Sequence, residues 1–438
     1  MSATSSPTIR WRNGSETALA SGVRAFNAFL VQARSELLAA VAPDAANTST
    51  VVHVVIGNEA ADADSIISAL VYAHHKRLRA KENGTVVIPV VPVPRDELAL
   101  RCDVVSLFRE LHVDVSALTF VDEFPWRHAA FQDGGRARLE FTLLDHNALS
   151  TKRMGGHAVG RVVEILDHHM DLGKHADAAV REIAFADGQA LVASTCTLVA
   201  EKVLQSRPTE VGADDDGGRH ALHATLLLAV IALDSINFDP SAKKVTARDV
   251  AAANELEKAA CAPKEALFDW LQAAKFSPEH WAAFTVRNCL QCDYKEFELP
   301  PTGGSSSSNS GRYGVSAVLI DLERLVTKAE SGAAFVAELE AFASANRLAF
   351  LVVMTMFVDA EGSRHRQLLF YGAGGDSSAP RTCVAFLERE GSLGLAPLEL
   401  PASHADRRVQ AFSQRNAGAS RKQVVPLLQQ ALEGTSRM

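Results

Sequence analysis

The chain has 438 residues, 47% of them hydrophobic, and a formal net charge of −8. That length exceeds one ordinary core and points to two domains. The acidic balance excludes a general polyanion binder, so any anionic ligand has to meet a local basic patch or a metal. Six cysteines are too few for a disulfide framework and predict free thiols in a reducing compartment. Apolar runs such as "LAFLVVMTMFV" (348–358) are too short to span a bilayer. The N-terminal "MSATSSPTIRWRNGS" has no apolar secretory core.

In chain order, residues 20–42 carry apolar side chains at helical spacing and predict an amphipathic helix. "STVVHVVIGN" (49–58) is a β-branched run that ends in Gly, the mark of a buried strand. Helical spacing returns over 64–83 and stops at Asn83–Gly84. A strand is expected at 85–94, a helix at 95–112, strands at 118–124, 140–147 and 161–169, and helices at 194–206 and 220–232. Strands alternating with helices over short links mean βαβ units and a parallel sheet. "PTEVGADDDGGR" (208–219) reads as a solvated acidic loop, since the spacing of an EF-hand is absent. The first domain is expected over 1–260 and the second over 264–438, divided where Pro263 interrupts a helical segment. The second domain is expected to run helix, strand, strand, helix (327–345), strand (348–358), strand (365–371), helix (378–390) and a last helix from about 420. Its low-complexity "PPTGGSSSSNSG" (300–311) is expected to be a long disordered hairpin loop. "NCLQC" (288–292) lacks the second pair of soft ligands that a structural zinc needs. The predicted fold class is α/β: an N-terminal parallel-sheet domain and a smaller C-terminal mixed domain, with an active site in the cleft between.

Four motifs in the first domain share one design. Asp62 and Asp64 in "GNEAADADS", Asp145 in "LLDHN", Asp167, His168 and His169 in "ILDHH", and Asp234 in "AVIALDS" stand just past the end of an apolar strand or helix. Each has an ordinary reading alone: Asp64 and Asp234 as helix caps, Asp145 as a turn residue, the histidines as surface. Together and in order they are better read as one crevice outside the carboxyl ends of parallel strands, where open sheets bind ligands. Carboxylate with imidazole suits Mg²⁺, Mn²⁺, Co²⁺ or Zn²⁺, and two ions need a shared carboxylate plus several more.

This series resembles the DHH phosphoesterase superfamily, and "DYKEF" (293–297), "SRHRQLL" (363–369) and "SRKQVVP" (420–426) look like its C-terminal associated domain. That pairing is shared by family II inorganic pyrophosphatases, exopolyphosphatases of the yeast type and prune proteins. "VPVPRDELALRCDV" (91–104) looks most like the eukaryotic exopolyphosphatases. The resemblance implies two divalent ions, Mg²⁺ first with Mn²⁺ or Co²⁺ as alternatives. Asp62 and Asp64 would hold one each, Asp145 would bridge, and His168 and Asp234 would complete the second site. Asp64, Asp145 and His169 would be catalytic, His169 as general acid or phosphate-orienting group. Asn58 stands where the pyrophosphatases have His, which argues against a pyrophosphatase-like first metal site. Lys295, His365, Arg421 and Lys422 would grip substrate phosphate beside Asn58 and His169. Arg95 and Arg101 are further channel candidates, though helix-surface roles fit them as well.

The implied function is an exopolyphosphatase that removes terminal phosphate from inorganic polyphosphate. Alternatives are a pyrophosphatase, a prune-type enzyme for short polyphosphates or cyclic nucleotides, and a non-catalytic scaffold that kept the fold. No nucleic acid, membrane or second subunit is expected as partner. The expected place is the cytoplasm or a polyphosphate-storing organelle.

Overall fold

The computed structural model describes residues 9–42, 50–80, 84–156, 160–205, 216–300, 311–359, 361–373 and 378–436. The chain forms two compact units, Met1–Lys275 and Phe276–Met438. Among the described residues no helix is long and apolar enough to cross a membrane, and the six cysteines are free.

The first unit contains α1 (Glu16–Val41), β1 (Thr50–Ile56), α2 (Ala63–Ala80), β2 (Thr85–Val91), α3 (Cys102–Glu110), β3 (Thr119–Phe120), β4 (Ala137–Leu144), β5 (Arg161–Asp167) and β6 (Val180–Ile183). A small hairpin, β7 (Phe185–Ala186) and β8 (Gln189–Ala190), leads to α4 (Thr195–Gln205), α5 (Asp216–Asp234), α6 (Ala247–Glu257) and α7 (Lys264–Lys275). Six strands form one sheet in the order β3-β2-β1-β4-β5-β6, and every neighbouring pair is parallel. β1 is central, and its Val52, Val54, Val55 and Ile56 are buried on both faces. That is why it reads as a continuous apolar run and not as an alternating one. Strand order reverses between β1 and β4, which makes their carboxyl ends the switch point of the sheet.

Several elements differ from the sequence reading. The expected helix over 95–112 breaks at Arg101, where a 3₁₀ turn (Arg95–Leu100) gives way to α3. The expected strand over 118–124 pairs only at Thr119 and Phe120. Residues 216–219 of the acidic stretch belong to α5; the rest of that expected loop, from 208 to 215, lies outside the described residues. α7, assigned by sequence to the second domain, packs on α3 and α5 and falls in the first unit.

The second unit contains α8 (Pro278–Ala283), α9 (Val286–Cys292), β9 (Tyr294–Glu298), β10 (Arg312–Val318), α10 (Leu322–Lys328), α11 (Gly332–Ala345), β11 (Leu348–Val358) and β12 (Arg364–Gly372). α12 (Ser378–Glu390), β13 (Leu395–Pro397), α13 (Pro401–Ala405), β14 (Val409–Gln414) and α14 (Arg421–Ser436) complete it. Its sheet runs β13-β14-β12-β11-β10-β9 and is mixed, since only β10 and β11 are parallel. β9 and β10 pair antiparallel, while most of the stretch expected as their loop, 301–310, lies outside the described residues. The expected single helix over 327–345 is two, parted at Glu330, whose φ of 68° ends α10 before Ser331 caps α11. β14 was hidden inside a basic stretch that reads as a solvated face. It buries Val409, Ala411 and Phe412.

The first unit buries three histidines away from the switch point. His74 and His223 share a 2.9 Å hydrogen bond between α2 and α5, and His53 meets Thr142 Oγ1 at 2.7 Å. Burial first, with Arg219 second, lowers His74 to about 3. Burial and then Lys76 lower His53 to about 4. Burial and then His74 push His223 well below the ordinary value. A histidine depressed in the fold is protonated first in the unfolded chain, so stability falls as pH drops from about 6.5 toward 4. Replacing both members of the pair (His74→Leu with His223→Leu) removes that part of the dependence, and the difference cancels other titrating groups. Urea unfolding at pH 7.5, 5.5 and 4.5 should show the wild type losing on the order of 5 kcal/mol relative to the variant, at about 1.4 kcal/mol per pH unit below 6.5 for each of the two histidines. Parallel curves would contradict it.

Candidate metal centre

The site is built at the β1/β4 switch point. Gly57 ends β1 with no side chain because α2 returns against it: a Cβ there would stand 2.6 Å from the Ser65 carbonyl oxygen. This close return puts Asp62, Asp64 and Ser65 over the strand ends. Asp145 follows β4 with φ 64°, a left-handed conformation that non-glycine residues adopt at a cost, and one that clusters at functional sites. Asp167 ends β5, and His168 and His169 follow it. Asp234 ends α5, and the three residues from Ile236 to Phe238 all have positive φ, from 50° to 60°. Ser235 Oγ holds that turn by accepting the Phe238 N–H at 3.1 Å.

Asp64 and Asp145 are almost without solvent, at 5% and 2% exposure. Asp64 lies at the N-terminus of α4, where it accepts from Ser194 Oγ (2.6 Å), the Thr195 N–H (2.7 Å) and the Cys196 N–H (2.9 Å). Asp145 Oδ2 accepts from Asn58 Nδ2 (2.5 Å) and Ser65 Oγ (2.8 Å), and Oδ1 from Thr195 Oγ1 (3.3 Å). His168 Nε2 stands 3.3 Å from Asp145 Oδ1 and 3.7 Å from Asp64 Oδ2. Its other nitrogen, Nδ1, is 3.0 Å from the Val192 carbonyl oxygen, which can only accept. A proton therefore belongs on Nδ1, and Nε2 is left to face the two carboxylates, the arrangement in which a cation held between them would take its lone pair.

His169 Nδ1 stands 2.8 Å from Asp167 Oδ1 and 3.6 Å from Asp145 Oδ1. Its ring lies edge-on to that of His168, with centroids 4.8 Å apart, and is more exposed than its neighbour. Asn147 Nδ2 donates to Asp167 Oδ2 at 2.5 Å. Burial alone would raise the Asp167 carboxyl; the charge and hydrogen bond of the His169 ring outweigh it and hold the acid below the usual range.

Burial, then the negative charges of Asp145 and Asp234, push Asp64 up to about 8. Carboxylates gathered where water cannot screen them call for positive charge. Ligand atoms of Asp145, His168 and His169 lie within 4.8 Å of one another. The donor set of buried oxygens and an oriented imidazole nitrogen fits a divalent cation. Asp62, half-buried, uses Oδ1 to accept the Ser65 N–H at 3.0 Å, and its charge acts on Asp64.

Other sequence candidates have different surroundings. Asn58 uses both ends of its carboxamide: Nδ2 on Asp145, and Oδ1 on the Ala60 N–H at 2.9 Å. Its place is that of a support for Asp145. Arg101, considered for a substrate channel, is 3% exposed. It donates Nε and Nη2 to the Ala60 carbonyl at 3.0 and 2.5 Å, and so braces the loop that carries Asn58. Arg95, the other channel candidate, is also engaged within the fold. Its guanidinium is bound to Glu123 and to the Val115 and Leu118 carbonyls, over the Phe120 ring.

In the second unit, Arg421 is paired with Asp293 Oδ1 at 2.6 Å and the Asp293 carbonyl at 3.0 Å. Lys422 is exposed at the start of α14, and Lys295 is half-buried on β9. His365 is exposed, stacked on Phe357, and bonded through Nε2 to Asp359 at 2.6 Å. Arg408 is taken up by Asp406 and Glu340.

Sequence reading missed Ser65, Ser194, Thr195 and Asn147, which orient the acids. Single hydroxyl and amide residues carry no spacing signal. It also missed Asp249, although "TARD" at 246–249 has the form of a helix-capping box.

A parallel sheet with carboxylates and imidazoles gathered at its switch point has the place and the donor set of a divalent-cation site. Residues 53–231 match the family model "DHH family, N-terminal domain", and residues 269–431 match "DHHA2 domain". The chain is 33% identical over 385 residues to "Exopolyphosphatase PRUNE1" of Bos taurus, covering 87% of this chain and 76% of that one. The Homo sapiens protein of the same name is also 33% identical over 385 residues, covering 87% of this chain and 75% of its own. A solved structure titled "Crystal structure of Methanococcus jannaschii putative family II inorganic pyrophosphatase" shares the fold, with a TM-score of 0.54 at 18% identity over 87% of this chain and 100% of that chain. The chain belongs to the DHH family of phosphoesterases and carries a DHHA2 domain.

Proposed function

We propose that the protein is an exopolyphosphatase that hydrolyses the terminal phosphoanhydride bond of inorganic polyphosphate and releases orthophosphate. The observation that carries the chemistry is the pair of buried carboxylates, Asp64 and Asp145, faced by the Nε2 lone pair of His168. The relatives named as exopolyphosphatases support the substrate class.

Asp64, Asp145 and His168, with Asp62 and Asp234, would hold two divalent ions. What such ions supply when bound is Lewis acidity toward phosphate oxygens and water. Asn58 and Ser65 hold Asp145 in place, so the carboxylate needs no rearrangement when charge develops. Water attacks the terminal phosphorus in line, and the bond from that phosphorus to the bridging oxygen breaks. The leaving group is the chain shortened by one phosphate. His169, oriented through Nδ1 by Asp167, presents its opposite nitrogen Nε2 to carry a proton to the leaving oxygen. Lys295, Arg421 and Lys422 neutralise phosphate oxygens along the substrate.

The test is phosphate release from long polyphosphate, tripolyphosphate and pyrophosphate, each with and without Mg²⁺. Release from long chains, in single phosphates and only with metal, is expected. Faster release from pyrophosphate would mean a pyrophosphatase, preference for the trimer a short-chain enzyme, and no release from any substrate a scaffold.

A further inference from the structure

We propose that Asp249, outside the ligand set, is a positioning residue for the metal centre, fixing the ring orientation and tautomer of His168 through the strap before α4. This rests on the metal-centre reading above.

Asp249 stands in the first turn of α6 with 0% exposure. Its carboxylate does two jobs. It accepts the Thr246 N–H (2.8 Å) and Thr246 Oγ1 (2.9 Å), closing the capping box of its own helix. A cap needs no more than that. It also reaches away from α6, taking the Ala193 N–H on both oxygens at 3.0 Å and Thr197 Oγ1 at 2.6 Å. Those partners flank Ser194, Thr195 and Cys196, which donate to Asp64. Two buried carboxylates thus hold the same turn from two sides.

The consequence for His168 follows from the planarity of one peptide group. The Ala193 N–H and the Val192 carbonyl belong to the same trans peptide and point in opposite directions. Aiming the N–H at Asp249 aims the carbonyl the other way, and it meets His168 Nδ1 at 3.0 Å. That contact keeps the proton on Nδ1 and leaves Nε2 for the cation. Outer partners of this kind typically change metal affinity ten- to a hundredfold when removed. Arg248 adds rigidity by pairing with Glu201 of α4 and Glu182 of β6 at 2.5 and 2.9 Å.

Asp249→Asn keeps the size but cannot accept every one of these bonds. Thr246→Ala is the control: it weakens the cap of α6 and leaves the grip on Ala193 and Thr197. Two readouts apply to the full chain. Side-chain ¹⁵N–¹H correlation spectra of the metal-free protein, with the His168 signals assigned by their loss in His168→Gln, report the tautomer. Calorimetric titration with Mn²⁺ reports affinity. Asp249→Asn should show a second His168 tautomer and a ten- to hundredfold weaker Mn²⁺ affinity, whereas Thr246→Ala should lower the melting temperature and move neither. Should Asp249→Asn not fold, Thr197→Val gives the same signature at smaller size. A single Nδ1–H tautomer with wild-type Mn²⁺ affinity in the Asp249 or Thr197 variant overturns the proposal. Equal changes in Thr246→Ala also overturn it, by reducing Asp249 to a cap. A wild type that binds no Mn²⁺ defeats the metal-centre reading instead, and the tautomer alone then decides the role of Asp249.

Discussion

Replacing Asp145 by Asn lowers turnover at saturating metal by at least about a hundredfold and leaves the metal-free fold intact. The two halves of this result have one cause. Asp145 faces both histidines of the centre, 3.3 Å from His168 Nε2 and 3.6 Å from His169 Nδ1. Charge stabilisation at a phosphoryl-transfer centre supplies several kcal/mol, and about 1.4 kcal/mol is a factor of ten in rate. Structurally the change is mild. The amide oxygen can still accept from Asn58 and Ser65, while the new N–H₂ can face the lone pair of His168. The lost negative charge is one that pushes Asp64 upward, so metal-free Asp145→Asn should melt no lower than wild type. Phosphate release and thermal unfolding on the same preparation check both halves. Near-wild-type turnover would remove Asp145 from the centre.

Lys422→Ala and Arg421→Ala should both impair use of long polyphosphate, in different ways. Lys422 is exposed, so its loss should raise KM about tenfold and leave the melting temperature unchanged. Arg421 is tied to Asp293, the residue immediately before β9. Its loss also loosens the strand that carries Lys295, and a larger fall in kcat/KM is expected, with a lower melting temperature. Polyanion contacts weaken with salt. By analogy with single-stranded nucleic acid, each lost contact should reduce the slope of log KM against log salt by about 0.7. A KM that does not respond to salt in the wild type, or that is unchanged in both variants, would contradict the assignment.

How much of this was legible in the sequence differs from element to element. The parallel sheet was, because β1 is buried on both faces, and the buried apolar ends of β1, β4 and β5 each run into chemistry-bearing residues. Asp64, Asp145 and His168 were legible for the same reason: each follows an element whose end the hydrophobic pattern marks. The break at Arg101 was not, because its cause is a tertiary bond from a buried guanidinium to the Ala60 carbonyl, which no local period encodes. β14 was not, because Arg407, Arg408 and Arg415 around it suggest a solvated face, while Val409 and Ala411 on one side of the strand and Phe412 on the other enter the core. Asn58 was singled out as different from a pyrophosphatase, but its task depends on where Asp145 and Ala60 lie. For Arg95 the sequence showed a cation beside a strand end, while its partner Glu123, 28 residues on, is set by the fold.

Asp64, Asp145 and His168 are proposed to form a divalent-cation site. Titrating metal-stripped protein with Mn²⁺, and following the free ion by electron paramagnetic resonance, tests it most directly. The wild type should bind two ions per chain, with affinity rising toward pH 8 as the raised Asp64 carboxyl gives up its proton. Asp145→Asn should lose at least one ion. A wild type that binds none, or an Asp145→Asn variant that binds as many ions as tightly as the wild type, would contradict the account.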